Sequence, residues 1–191
     1  ICAIDNLKIR KIRKNLLYLR IEIMIIDQAK EVLKIESDSI LKLGRSIDSA
    51  FEKLVDTIIH SSGRVIISGI GKSGLIGKKI TATLVSTGTN AIFLHPVEAL
   101  HGDLGMVNKD DVFLAISNSG ETGELIQLLP LIRQMGCPLA GFTGNNHSTM
   151  AKLCDIVIDT GVEKEACPFN MAPTASTTAQ LAMGDALAVV L

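Results

Sequence analysis

Five short apolar runs constrain this chain more than any other feature: RVIISG (64–69), AIFL (91–94), DVFLAIS (111–117), PLAGFTG (138–144) and DIVIDT (155–160). Helix-compatible stretches separate them, beginning near Ser73, Val97, Gly120 and His147. Strands that alternate with helices in this way predict an open parallel sheet wound with helices on both faces. Upstream, apolar positions from Ile26 to Ile59 recur at helical spacing, with Gly44 as the break between two helices. The 191 residues, 47% of them hydrophobic, suffice for one good core, so one domain is expected. Ligands of such sheets bind beyond the carboxyl ends of the strands, which directs attention to the loops after Ile67, Ile116, Phe142 and Ile158.

Charge narrows the partners. The 19 basic and 20 acidic residues nearly cancel, and with no Trp and one Tyr there are few platforms for base stacking, so neither nucleic acid nor a membrane surface is an expected partner. Cys2, Cys137, Cys154 and Cys167 form no C-x-x-C pair. They read as small hydrophobes of a reduced, cytoplasmic protein and not as a disulfide framework or a metal site. The first 23 residues are basic and then apolar, but Arg20 and Glu22 interrupt the apolar part and no small-residue cleavage site follows. No window reaches the roughly 18 uninterrupted apolar residues of a membrane helix. Recognisable helical patterning starts after Met24, so residues 1–23 are read as an extension and 24–191 as the domain. At the other end, MGDALAVVL stops inside a helical pattern.

The stretch VIISGIGKSGLIGKK (65–79) carries two competing phosphate motifs. A P-loop ending in Gly71, Lys72 and Ser73 requires a glycine where Ile66 stands. A dinucleotide fingerprint on Gly69, Gly71 and Gly74 requires an acid at the end of the next strand, which here ends in His95 and Pro96. Nicotinamide or flavin binding is therefore not expected. What survives is a tight turn whose N–H groups and helix N-terminus favour an anion, at Gly71 and Ser73.

The loop SNSGETGE (117–124) is more informative. Ser117, Asn118, Ser119 and Thr122 cluster where a helix must begin. One helix cap needs one hydroxyl, and here three are grouped, with Ser73 in the neighbouring loop. A phosphate monoester is the ligand this pattern favours.

SGIGKSGLIGKK, HPVEALHGDLGMV, AISNSGETGE and KEACPFNMAPTASTTAQLAMGDALAV together resemble the sugar isomerase (SIS) domain of bacterial arabinose-5-phosphate isomerases. The resemblance runs from about Met24 to Leu191. It implies a flavodoxin-like αβα sandwich with a five-stranded parallel sheet, a homodimer or homotetramer with composite active sites, and no organic cofactor or metal. It also implies interconversion of D-arabinose 5-phosphate and D-ribulose 5-phosphate on the path to the lipopolysaccharide sugar Kdo. Leu75, Val97 and the FNM run at 169–171 depart from the family pattern, the last standing where a short apolar-glycine run is usual. Family members continue to an SHPGG segment with a catalytic His and two CBS repeats, so the resemblance implies that this chain is truncated.

An aldose becomes a ketose when a base removes the C2 proton and the resulting enediolate is reprotonated at C1, which needs a base of matched pKa and a cation or proton donor at the oxyanion. Lys72, His101, Glu124 and Glu165 match the family's active-site positions. Lys72 is assigned to the phosphate sugar and its developing charge, His101 to ring opening or proton shuttling, and Glu124 and Glu165 to acid–base work. Each also has a plainer reading. Lys72 suits a solvated loop, Glu124 a helix dipole, His101 a helix C-terminus before Gly102, and Glu165 a surface ion pair. His60, His95 and His147 are read as structural, with His95 a candidate support behind the site. A non-catalytic sugar-phosphate-binding module and an isomerase of another sugar phosphate are the alternatives, and two carboxylates beside Lys72 favour chemistry, because a sensor needs no base.

Overall fold

The computed structural model describes residues 6–167 and 169–191, with side chains from residue 24 onward. Cys2 and the first five residues of the 1–23 extension lie outside the described residues. Two helices open the described chain, α1 (Asn6–Ser46) and α2 (Ser49–Ile59). The break expected at Gly44 therefore falls three residues later, beginning at Ile47. The helix is continuous back to Asn6, well before the patterning expected from Met24.

The rest alternates: β1 (Val65–Gly69), α3 (Gly71–Thr87), β2 (Ala91–Phe93), α4 (Pro96–Leu100), a 3₁₀ turn (Asp103–Met106), β3 (Val112–Ile116), α5 (Gly123–Gln134), β4 (Leu139–Thr143), α6 (Thr149–Leu153), β5 (Ile156–Asp159) and α7 (Ala175–Val190). All five strands are parallel, in the order β2-β1-β3-β4-β5. Every residue of β1, β3 and β4 is buried, the condition that makes central parallel strands read as continuous apolar runs.

The two-residue period of the strands divides the core. Val65, Ile67, Leu114, Ile116, Phe142 and Ile158 face α2, α3 and α7. Ile66, Phe113, Ala115 and Leu139 face the other way, onto Leu125, Leu128, Leu129 and Ile132 of α5. Those four residues lie at helical spacing on one face of α5. Truncating one of them, Leu128→Ala, costs about 2–5 kcal/mol.

This topology positions the functional edge. The chain leaves β1 toward β2 by way of α3 and leaves β3 in the opposite direction, toward β4, so β1 and β3 flank the switch point where open sheets bind ligands. Their carboxyl ends are in register, Gly69 beside Ile116. The glycines of 69–77 serve that junction. Gly71 has φ +59, and a Cβ on Gly74 would stand 2.6 Å from the Gly69 carbonyl oxygen. Much of the dinucleotide-like spacing is thus accounted for by a tight turn and by the close packing of α3 on β1.

Candidate active site

The helices of this domain start in two different ways. Asp48 accepts from Ala50 N–H at the start of α2, His95 Nδ1 from Val97 N–H at α4, and Ser148 from Ala151 N–H at α6. At the switch point no side chain among the described residues caps α3, whose Ncap residue is Ile70, or α5, whose Ncap residue is Thr122. Both helices therefore present their first N–H groups and the positive ends of their dipoles at one edge of the sheet.

The hydroxyls of the loop after β3 are arranged around that opening and do not cap it. Ser117 Oγ and Thr122 Oγ1 share a hydrogen bond at 2.8 Å, and Gly120 N–H donates to Ser117 Oγ at 3.1 Å. Ser119 Oγ accepts from Glu121 N–H at 3.2 Å and is exposed. Asn118 is half-buried, its Oδ1 is enclosed without a partner, and a Cβ on Gly144 would stand 2.6 Å from that oxygen. Glu121, which the sequence did not single out, braces the loop: its Oε1 accepts from Thr149 N–H at 2.8 Å, and this bond holds its carboxyl below the ordinary Glu pKa. An i to i+28 contact between a loop and a helix start has no spacing by which a sequence could announce it.

Across the edge, Lys72 and Ser73 occupy the first turn of α3, Lys72 exposed and Ser73 half-buried. Glu124 is exposed in the first turn of α5. The pairing of β1 with β3 brings these two turns and the Ser117–Thr122 loop to the same edge.

Glu165 arrives by another route. It follows β5 in an irregular segment, and its Oε2 accepts from Thr174 N–H at 2.7 Å, Thr174 Oγ1 at 3.1 Å and Ser176 N–H at 3.2 Å. The carboxylate thus closes the N-terminus of α7. Burial alone would raise this carboxyl, but the hydrogen bonds it accepts from Ser176 and Thr174 outweigh it and hold Glu165 below the ordinary Glu value. The surface ion pair that was its plainer reading belongs to its neighbours, Lys164 with Glu31 at 3.7 Å and Glu163 with Lys42 at 3.9 Å. These pairs tie the segment to α1 around a cleft of about 140 Å³.

α7 packs on α3 through Gly184 and Ile80 and through an ion pair between Lys79 and Asp185. Both helices follow strands of one parallel sheet and return along it, so the start of α7, with Glu165 on it, shares the edge that holds Lys72. The fold gathers Lys72, Ser73, the 117–122 loop, Glu124 and Glu165 there.

His101 is placed differently. It is the exposed C-cap of α4, followed by Gly102 at φ 138. It lies on the segment running from the end of β2 toward the opposite edge, where Arg64 Nη2 donates to Met106 O at 2.6 Å. This is the position of its plainer reading, a helix C-terminus before Gly102. Among the described residues its side chain has no hydrogen bond or ion pair to the other candidates. No group of three His, Cys, Asp or Glu side chains among the described residues is arranged to hold a metal ion, and no helix among them is long and apolar enough to cross a membrane.

Known proteins match this chain in sequence and in fold. Arabinose 5-phosphate isomerase KdsD of Pseudomonas aeruginosa is 49% identical over 166 residues, covering 87% of this chain and 51% of the relative. The enzyme of the same name from Francisella tularensis is 49% identical over 169 residues, covering 87% and 52%. The chain thus spans about half the length of these curated relatives. The structure of an E. coli CFT073 protein in complex with arabinose 5-phosphate superposes with a TM-score of 0.84 at 42% identity, covering 87% of this chain and 88% of that one. The SIS domain model matches residues 58–190, from the end of α2 through α7, and the chain belongs to the SIS domain family.

Proposed function

We propose that the protein is an aldose–ketose isomerase that interconverts D-arabinose 5-phosphate and D-ribulose 5-phosphate through an enediol. The observation that carries this reading is the pair of uncapped helix starts, α3 and α5, at the switch point with Lys72 and two carboxylates beside them. Relatives named arabinose 5-phosphate isomerase at 49% identity, and a neighbour solved with arabinose 5-phosphate, support this choice among sugar phosphates.

The phosphate sits on the N–H groups of Gly71 and Ser73 and on Ser117, Asn118, Ser119 and Thr122, where two helix dipoles and several hydroxyls favour a dianion. A carboxylate removes the C2 proton of the open-chain sugar, and the electron pair moves onto the C1 carbonyl oxygen. Lys72 stabilises that oxygen as its charge grows. Transfer of the O2 proton to O1 through the enediol, and return of a proton to C1 from the protonated carboxylate, give the ketose. Glu165 is held ionised, the protonation state a base requires, although a lowered pKa weakens its pull on the proton. Glu124 makes no hydrogen bond or ion pair among the described residues through its side chain and serves as the acid–base partner of Glu165. His101 assists ring opening or proton transfer in a site shared between copies, since its own chain places it away from the other groups.

The working form is a cytoplasmic homodimer or homotetramer supplying Kdo synthesis for lipopolysaccharide. Ile26, Leu33, Ile40 and Ile47 are exposed at seven-residue spacing along α1 and just beyond its end, a stripe suited to a second helix. Cys137, Cys154 and Cys167 are free thiols, consistent with a reducing compartment.

Proton NMR in deuterium oxide tests the chemistry. Incubation with D-arabinose 5-phosphate is expected to yield D-ribulose 5-phosphate with solvent deuterium at the carbon that is reprotonated. Tight binding of the sugar phosphate with neither product nor exchange would make the domain a binding module and overturn the isomerase reading.

A further inference from the structure

We propose that Asn170 is a positioning residue that holds Glu165 with one carboxylate oxygen pinned to α7 and the other turned free. The inference rests on the isomerase reading above. Asn170 has φ 53 and is the sole non-glycine residue with positive φ among the described residues. That conformation is costly for a residue with a Cβ and persists only where surrounding contacts over-determine it. Packing does not supply those contacts, because the flanking Phe169 and Met171 are both 81% exposed.

Hydrogen bonds supply them. Asn170 N–H donates to Cys167 O at 2.9 Å, closing a turn, and Asn170 Oδ1 accepts from Glu165 N–H at 2.6 Å. The next amide along, Ala166 N–H, donates to Thr174 Oγ1 at 2.8 Å. The two backbone N–H groups at and after the Glu165 side chain are thus fixed by two side chains from later in the same loop. With the backbone held at both points, Oε2 falls on Thr174 and Ser176, and no donor among the described residues meets Oε1. A base pinned by one oxygen is oriented without being blocked.

The charged and titratable neighbours do not replace this latch. Lys164 is paired to Glu31 and Glu163 to Lys42, both on α1. Cys167 lies in the loop itself, and Lys72 on α3 makes no ion pair to Glu165.

The plainer account of Asn170 is that it merely tolerates the left-handed conformation, as glycine would. Asn170→Gly separates the two, since it keeps the backbone and removes the acceptor. The expected result in the whole protein is a kcat lower by roughly 10- to 100-fold, the cost of slight misplacement of a reacting group. KM should stay within about twofold, because no ground-state contact is lost. Carbon-13 NMR of the Glu165 carboxyl, assigned by its loss in Glu165→Gln, should show its titration moving up toward the ordinary Glu range as the donors loosen. Asn170→Asp, which keeps both the conformation and an acceptor oxygen, should recover most of the kcat. Unchanged kcat and unchanged Glu165 titration in Asn170→Gly would overturn the latch. Full activity in Glu165→Gln would instead sink the assigned role of Glu165, and the titration in Asn170→Gly would still decide the latch.

Discussion

Two carboxylates, Asp111 and Glu165, stand at opposite edges of the same sheet and are held by similar means to different ends. Asp111 precedes β3 and is buried. Its Oδ1 accepts from Arg64 N–H at 2.7 Å and Arg64 Nε at 3.4 Å, its Oδ2 from Arg64 Nη2 at 3.2 Å and Asn108 N–H at 2.8 Å. Burial pushes its pKa up, but Arg64 and the N–H groups of Arg64 and Asn108 more than reverse this and leave it below the ordinary Asp value. Glu165 is also lowered, yet among the described residues only one of its oxygens is engaged and no cation is paired with it. A carboxylate with both oxygens occupied and a guanidinium beside it is a finished contact. One with a free oxygen at the ligand-binding edge retains something to do.

That contrast breaks most sharply at Glu165. Glu165→Gln preserves shape and much of the hydrogen bonding while losing basicity, and should slow isomerisation and deuterium exchange by about 10² to 10⁴. Deuterium wash-in at the parental rate would move the base to Glu124 or His101. Asp111→Ala should do the reverse. Removing one partner of a buried pair strands Arg64 and costs about 3 kcal/mol of stability by urea denaturation, with turnover per folded molecule unchanged. A large loss of kcat at parental stability would mean that Asp111 is not merely structural.

The two share one direction of pH dependence. Because the folded pKa of Asp111 lies below its unfolded value, its contribution is present above the unfolded Asp pKa and is lost as pH falls through the folded one. Glu165 has the same sign. Asp111→Asn should therefore flatten the acid side of the stability curve. A curve superimposable on the parent's between about pH 5 and pH 2 would show that Asp111 does not drive acid unfolding. The smallest effects belong to the phosphate edge. Ser119→Ala and Ser73→Ala should each weaken inorganic phosphate binding by roughly tenfold, the scale of one hydrogen bond to a charged group, with kcat little changed. Parental phosphate affinity in both variants, read by calorimetry, would remove the phosphate from this edge.

The sheet was legible because buried parallel strands leave continuous apolar runs, and each expected helix start lies within three residues of the observed one: Gly71 for Ser73, Pro96 for Val97, Gly123 for Gly120, Thr149 for His147. The Ser117–Thr122 loop was legible because its hydroxyls are adjacent in sequence. What joins Glu165 to α7 was not, since Thr174 and Ser176 lie nine and eleven residues away across an irregular segment with no period to read. The FNM run was visible as a departure, but neither the left-handed backbone of Asn170 nor the bond from its amide follows from residue types. His101 was legible as a helix C-terminus because Gly102 follows it, but the five residues of Pro96–Leu100 give too little periodicity to set the helix's length.

Gly184 looks remote from all of this, nine residues into α7, or about 13 Å along its axis at 1.5 Å per residue. A Cβ there would stand 2.3 Å from Ile80, so the bare backbone of α7 sets how near it lies to α3. One helix begins at the residues that anchor Glu165, the other at Lys72 and Ser73. The missing methyl group at position 184 therefore works as a gauge block, fixing from the far half of both helices the width of the gap between their starts, where Glu165 and Lys72 stand.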